Sequence, residues 1–163
     1  MITITKPSAS HVEAIATVCS VGWKQTVEGK LSEEYQEETV AFWYNHDRIR
    51  KELEAGSYTH VALIGSTVVG VIGGGITGPG AGEVFVLYVD EDHRYKGIGR
   101  ELLNALTQLQ LEKGASKQWV SVQEDNHRGI PFYEARGFLF KERRSELTST
   151  GEQQVSLRYS RPI

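Results

Sequence analysis

The order of strand-like and helix-like segments predicts an α/β domain of the α+β kind: a mixed sheet covered by helices, in the order β α α β β β α β α β β. Three observations carry this. "YTHVALIGSTVVGVIGGGITG" is two β-rich runs meeting at Gly65 and Ser66, as in an antiparallel hairpin. "EVFVLYV", residues 83–89, is apolar at six of seven positions, which predicts a central strand covered on both faces. Soon after it, Ile98, Leu102, Leu106 and Leu109 form the apolar stripe of a helix that stops at Gly114.

The remaining elements follow in chain order. "ITITKP" reads as a short strand ended by Pro7, and Ser8 or Ser10 can cap the helix after it. In that helix Val12, Ile15, Ala16, Cys19 and Trp23 recur at spacings of three and four, which predicts one buried face and an end near Val27. Ser32 followed by Glu33 and Glu34 is a cap with first-turn acids that complement the helix dipole. It opens a second helical region, with room for a break, through "AFWYNHDRIRKELEAG". Further on, "KQWVSVQ" is a strand, and "RGIPFYEARG" a short helix starting near Pro131 and closed by Gly137. "FLFKERRSELTSTGEQQVSLRYS" is a final hairpin.

With 163 residues, 39% hydrophobic and 24% charged, the chain is expected to fold as one domain, 1–163, without metals or disulfides to hold it. A net charge of −3 offers no general basic field, so neither nucleic acid nor an anionic membrane is expected as a partner. Cys19 is the lone cysteine, and no run of about 18 apolar residues or leader pattern occurs, so the expected location is cytoplasmic. The five histidines lack metal-ligand spacing, and no metal is expected.

"HRYKGIGREL", residues 93–102, lacks the third glycine of a dinucleotide fingerprint and the Lys-Ser/Thr of a P-loop. Two readings stay open from its residues. Either glycines let an anion approach unpaired N–H groups at a helix start, helped by Arg94, Lys96 and Arg100, or this is a turn whose cations are solvated.

"LYVDEDHRYKGIGRELL" resembles the acetyl-CoA signature of the GNAT acetyltransferase superfamily, with Arg94, Gly97 and Gly99 at its fixed positions. "NHRGIPFYEARGF" resembles the second motif of that family through Asn126, Phe132, Tyr133, Gly137 and Phe138. The resemblance covers residues 59–140 well and is looser over the first helices. It implies a mostly antiparallel, twisted sheet of about seven strands with helices on both faces. It also implies acetyl-CoA as acyl donor, its arm pairing with the backbone of Leu87 and Val89, its pyrophosphate over residues 94–100 including Ile98, and Asn126 touching the arm.

The implied activity is N-acetyl transfer to a primary amine by direct attack in a ternary complex. A small amine or polyamine is the expected acceptor, with a protein or peptide amine as the rival, a homodimer as an option, and a non-catalytic acyl-CoA-binding module as the alternative of another class. A lysine-like amine must lose a proton at a cost of roughly 4–5 kcal/mol at neutral pH. Glu83 is the candidate base and Tyr133, at the family position, the candidate acid for the departing thiolate. A strand-end carboxylate facing solvent and a tyrosine that merely packs are the plainer alternatives. Glu28, Glu33, Glu34, Glu37 and Glu38 would attract a cationic acceptor or form a solvated face. Trp23, Tyr35, Trp43 and Tyr44 would wall a pocket or form core, and the run "VIGGGITGPGAG" would permit a bulged strand near the acyl site.

Overall fold

The computed structural model describes residues Met1–Ile163. Its elements run β1 (Ile2–Thr5), α1 (Val12–Val27), α2 (Glu33–Trp43), α3 (His46–Glu54), β2 (Tyr58–Ile64), β3 (Thr67–Gly78), β4 (Ala81–Val89), α4 (Ile98–Glu112), β5 (Lys117–Gln123), α5 (Gly129–Glu134), β6 (Leu139–Leu147) and β7 (Gln153–Pro162). The seven strands form one sheet in the order β1-β2-β3-β4-β5-β7-β6. Every neighbouring pair is antiparallel except β4 with β5, so the mixed, mostly antiparallel sheet is as predicted. The final hairpin has a twist of order: β7 returns between β5 and β6 and leaves β6 on the edge.

Two cores cover the sheet. On one face Leu102, Leu103 and Leu106 of α4 pack on Ile72, Val84 and Val120, with Tyr133 and Phe138 closing the end. On the other, Val12, Ile15, Ala16 and Cys19 of α1 and Ile49 of α3 pack on Val61 and Val71. The second helical region divides at Asn45, whose Oδ1 accepts the Arg48 N–H at 2.8 Å while its Nδ2 donates to the Ala41 and Phe42 carbonyls. One amide thus satisfies the end of α2 and the start of α3.

Residues 83–89 depart from the expectation of cover on both faces. β3 pairs Gly73 with Val86 and Gly74 with Val84, so Phe85 is an extra, bulged residue, and it is 50% exposed. The ladder to β5 ends at Val84–Val120, while Ser121 to Gln123 pair only with β7. Beyond the bulge β4 and β5 part, and a cleft opens along the β5-facing edge of β4. The glycine run permits this. A Cβ on Gly74 would lie 2.3 Å from the Glu83 carbonyl oxygen, nearer than any side chain tolerates.

In α4 the stripe ends differently from its prediction. Leu109 is half-buried, and Gln110 is buried instead, at 1% exposure. Its Nε2 donates to the Glu83 carbonyl at 3.0 Å, and its Oε1 accepts from Gln118 Nε2 at 3.0 Å. Gln118 Oε1 in turn accepts from Arg161 Nε at 3.0 Å. This polar chain ties α4, β4, β5 and β7 together behind the cleft, each group satisfied as burial requires.

Candidate active site

The cleft has two chambers. The first, about 300 Å³, is a groove running from Leu87 and Val89 past the start of α4 to α5. Gly97, which precedes α4, has φ 82°, a conformation that glycine adopts without strain, and it lines the groove with Ile98 and Gly99 of the first turn, where backbone N–H groups have no partner within the helix. Arg94, Arg100, Arg128 and Arg136 line it together with His93, and no carboxylate does. In a chain of net charge −3 such a concentration marks an anion site.

Crowding of the cations is visible in their acidities. Burial and the neighbouring Arg128 lower the pKa of Arg94, and burial and Arg100 lower that of Arg136. Arg94 is turned to donate to Gln25 on α1, and Arg136 lies over the Phe132 ring with its Nε buried and unpartnered. The β5-facing edge of β4 beyond Val84, a helix start and four arginines thus offer an extended, polyanionic ligand a strand edge and then a phosphate cradle.

The second chamber, about 700 Å³, opens beyond the first, and Thr26, Leu87, Tyr88, Asn126 and Tyr133 line both. Tyr133 stands on α5 with its ring buried edge-on between Phe132 and Phe138, centroids 5.2 Å away in each case. Burial pushes its phenol well above the ordinary value, so it stays a proton donor through the neutral range. Asn126 accepts the Gly129 N–H at 2.8 Å and so shapes the loop into α5 from the junction of the chambers.

Aromatic residues wall the second chamber, among them Trp23, Tyr44, Tyr58 and Phe85. Tyr35, Thr39 and Trp43, spaced four apart on α2, form its roof. Polar bonds hold the roof to the β6–β7 hairpin: Ser32 N–H to Glu152 at 2.6 Å, Tyr35 hydroxyl to Gln154 at 2.8 Å and Ser149 hydroxyl to Glu38 at 2.8 Å. Three carboxylates face the chamber: Glu52, Glu83 and Glu146. Glu83 accepts from both terminal guanidinium nitrogens of Arg158, at 2.9 and 3.2 Å, and Glu52 accepts from Arg48 at 2.9 Å.

The structure therefore gathers Leu87, Val89, Arg94, Gly97, Ile98, Gly99, Arg100, Asn126 and Tyr133 along the groove, and Glu83 with Tyr133 in the second chamber. Ile98 does so through its backbone, since its side chain is 1% exposed in the core. Lys96 is exposed and does not line either chamber. None of Glu28, Glu33, Glu34, Glu37 and Glu38 does so either; all are exposed, the solvated face of the two readings.

Sequence reasoning missed Arg128 and Arg136, although both stand inside the motif "NHRGIPFYEARGF". It also missed Arg158, Glu52 and Glu146, which no local pattern marks. Cys19 is a core thiol at 0% exposure whose pKa burial raises far above the usual range.

Comparison with known proteins agrees with this geometry. The model of the acetyltransferase (GNAT) family matches residues 22–138. Spermidine N(1)-acetyltransferase of Thermoplasma acidophilum is 30% identical over 142 residues, 84% of this chain and 88% of that protein. Among solved structures, PaiA N-acetyltransferase from Thermoplasma acidophilum in complex with coenzyme A superposes with a TM-score of 0.79 at 26% identity, covering 100% of this chain and 99% of that one. Ard1 from Thermoplasma volcanium shares the fold, with a TM-score of 0.76 at 21% identity over 99% of this chain and 97% of that one.

Proposed function

Because the chain belongs to the acetyltransferase (GNAT) family and is an acetyl-CoA-dependent N-acetyltransferase, we propose that its acceptor is a small primary amine or polyamine, attacked directly in a ternary complex. One observation carries the choice of acceptor: the chamber beyond Tyr133 is roofed, aromatic-walled and faced by three carboxylates. Cations are drawn to carboxylates and to aromatic faces alike. The α2 roof, bonded across the chamber to the β6–β7 hairpin, supports a small acceptor over an extended peptide. The 30% identical spermidine acetyltransferase supports the same reading.

The groove fits acetyl-CoA by the chemistry of its donors. The open edge of β4 at Leu87 and Val89 would take the amide-bearing arm, and the N–H groups after Gly97, with Arg94, Arg100, Arg128 and Arg136, the phosphates. Bound acetyl-CoA supplies an activated acyl group on a thiol leaving group. Tyr133, at the junction of the chambers and protonated, would donate its hydroxyl proton to the departing sulfur. Glu83 would receive the amine's proton. Arg158 holds one direction of each carboxylate oxygen, so the proton would arrive, directly or through a water, at a lone pair left free. No helix is long and apolar enough to cross a membrane.

Thiol release from acetyl-CoA across a panel of amines, for wild type, Tyr133→Phe and Glu83→Gln, tests this. Amine-dependent release is expected, falling about 10²-fold or more in kcat for each variant. Release driven only by peptides would overturn the acceptor assignment, and full rates in both variants would overturn the roles.

A further inference from the structure

We propose that Glu146 sets acceptor specificity by holding a second ammonium group of a linear polyamine, so that the enzyme prefers a triamine over a short diamine and a diamine over a monoamine. The proposal rests on the amine reading above. Of the three carboxylates that face the chamber, two already have cationic partners, Arg158 on Glu83 and Arg48 on Glu52. Glu146 has none. The arginines of its own strand are engaged elsewhere, Arg143 with Glu124 at 3.0 Å and Arg144 with Glu142 at 2.6 Å. A lining carboxylate with no cationic partner in the protein can pair with a cation that arrives with the substrate.

Its position defines that cation. Glu146 stands opposite Gln154 in the β6–β7 ladder, and directly opposed residues share a face of the sheet. Gln154, Ser156 and Arg158 lie on one face of β7 at alternate positions; the first two line the chamber and the third grips Glu83. Gln154 is four residues from Arg158, roughly 13 Å along the strand at about 3.3 Å per residue. Glu146 is therefore at the far end of the chamber from Glu83, and the floor between them is polar. A nitrogen reacting near Glu83 and Tyr133 leaves Glu146 within reach of the far end of an extended triamine, beyond that of a short diamine. The roof residue over this end, Tyr35, is itself fixed by its bond to Gln154 at 2.8 Å.

The test is steady-state kinetics of the full-length enzyme with acetyl-CoA and three acceptors: n-butylamine, 1,4-diaminobutane and spermidine. Wild type should rank them in ascending order of kcat/KM. Glu146→Gln should raise KM for spermidine about five- to tenfold with kcat held, and lower the spermidine-to-butylamine ratio of kcat/KM by the same factor. Glu146→Asp should recover part of the ratio. Glu146 is exposed, so the variants should melt with wild type. A ratio unchanged in Glu146→Gln, or a loss confined to kcat, overturns the role of Glu146 while leaving the amine reading intact. A wild type that turns over none of the three amines overturns the amine reading and this proposal with it.

Discussion

Replacing Gln110 by Leu keeps the side-chain volume near its original value and removes one buried amide, so the effect isolates polar satisfaction from packing. The Gln110 Nε2 bonds to the carbonyls of Glu83, at 3.0 Å, and Gly75, at 3.4 Å, are lost, and Gln118 Nε2 loses an acceptor at 3.0 Å. Gln118 Nε2 keeps Thr107 Oγ1 at 3.1 Å, so it is not wholly stranded. The Glu83 carbonyl carries the main penalty, with a partial one at Gln118. At about 1–3 kcal/mol for each buried group left unpaired, and with some return from the apolar leucine, the expected loss is about 2–4 kcal/mol. For a chain of this size, that corresponds to a fall of roughly 5–15 °C in Tm. Urea unfolding followed by circular dichroism measures it, with Gln108→Leu on the exposed side of the same helix as control, expected within about 0.5 kcal/mol of wild type. Glu83 loses its backbone tether in the variant, so kcat/KM should fall as well. A Gln110→Leu midpoint equal to that of the control would show that the buried amide chain does not stabilise this part of the sheet.

Arg128→Ala and Arg136→Ala should each raise KM for acetyl-CoA about fivefold or more and flatten its dependence on salt, since each removes a groove cation; a KM and salt slope equal to wild type would exclude that arginine from the donor site. Gly97→Ala forces a side chain to φ 82° at a cost of about 1–2 kcal/mol, and its damage should show in KM for acetyl-CoA rather than in KM for the amine. Cys19, 0% exposed with its pKa raised by burial, should react with a thiol reagent at pH 8 only at the rate of unfolding; rapid stoichiometric labelling of the folded protein would contradict its place in the core.

Much of the fold was legible because it is written in short-range periodicity. The stripe of α4, the cap at Ser32 and the hairpin at Gly65 and Ser66 each arise within a few residues, where spacing and backbone preference decide the outcome. The groove was legible only in part: a strand end, a turn with Gly97 and a helix start are consecutive, but from the residues alone a phosphate cradle and a solvated turn both stayed open, and Arg128 and Arg136 join the groove from the two ends of α5. Residues 83–89 show the limit. Their apolar run reads as a doubly covered strand, yet the bulge at Phe85 and the end of the β5 ladder at Val84 depend on glycines and strands elsewhere in the sheet.

By itself, then, the sequence determined the order of elements, through patterns that local sterics and hydrophobic spacing enforce, while the cradle reading of residues 93–102 and the role of Tyr133 came from the resemblance of two motifs to a family. Only the tertiary structure decided the acceptor chamber. Glu83 and Arg158 lie 75 residues apart and meet because β7 inserts beside β5, and Glu146 faces the chamber because β6 follows β7 in register. The five acids grouped in sequence face solvent, whereas the three that face the chamber come from α3, β4 and β6. Charge at a site is set by which side chains share a cavity, and strand pairing, not proximity along the chain, makes that choice.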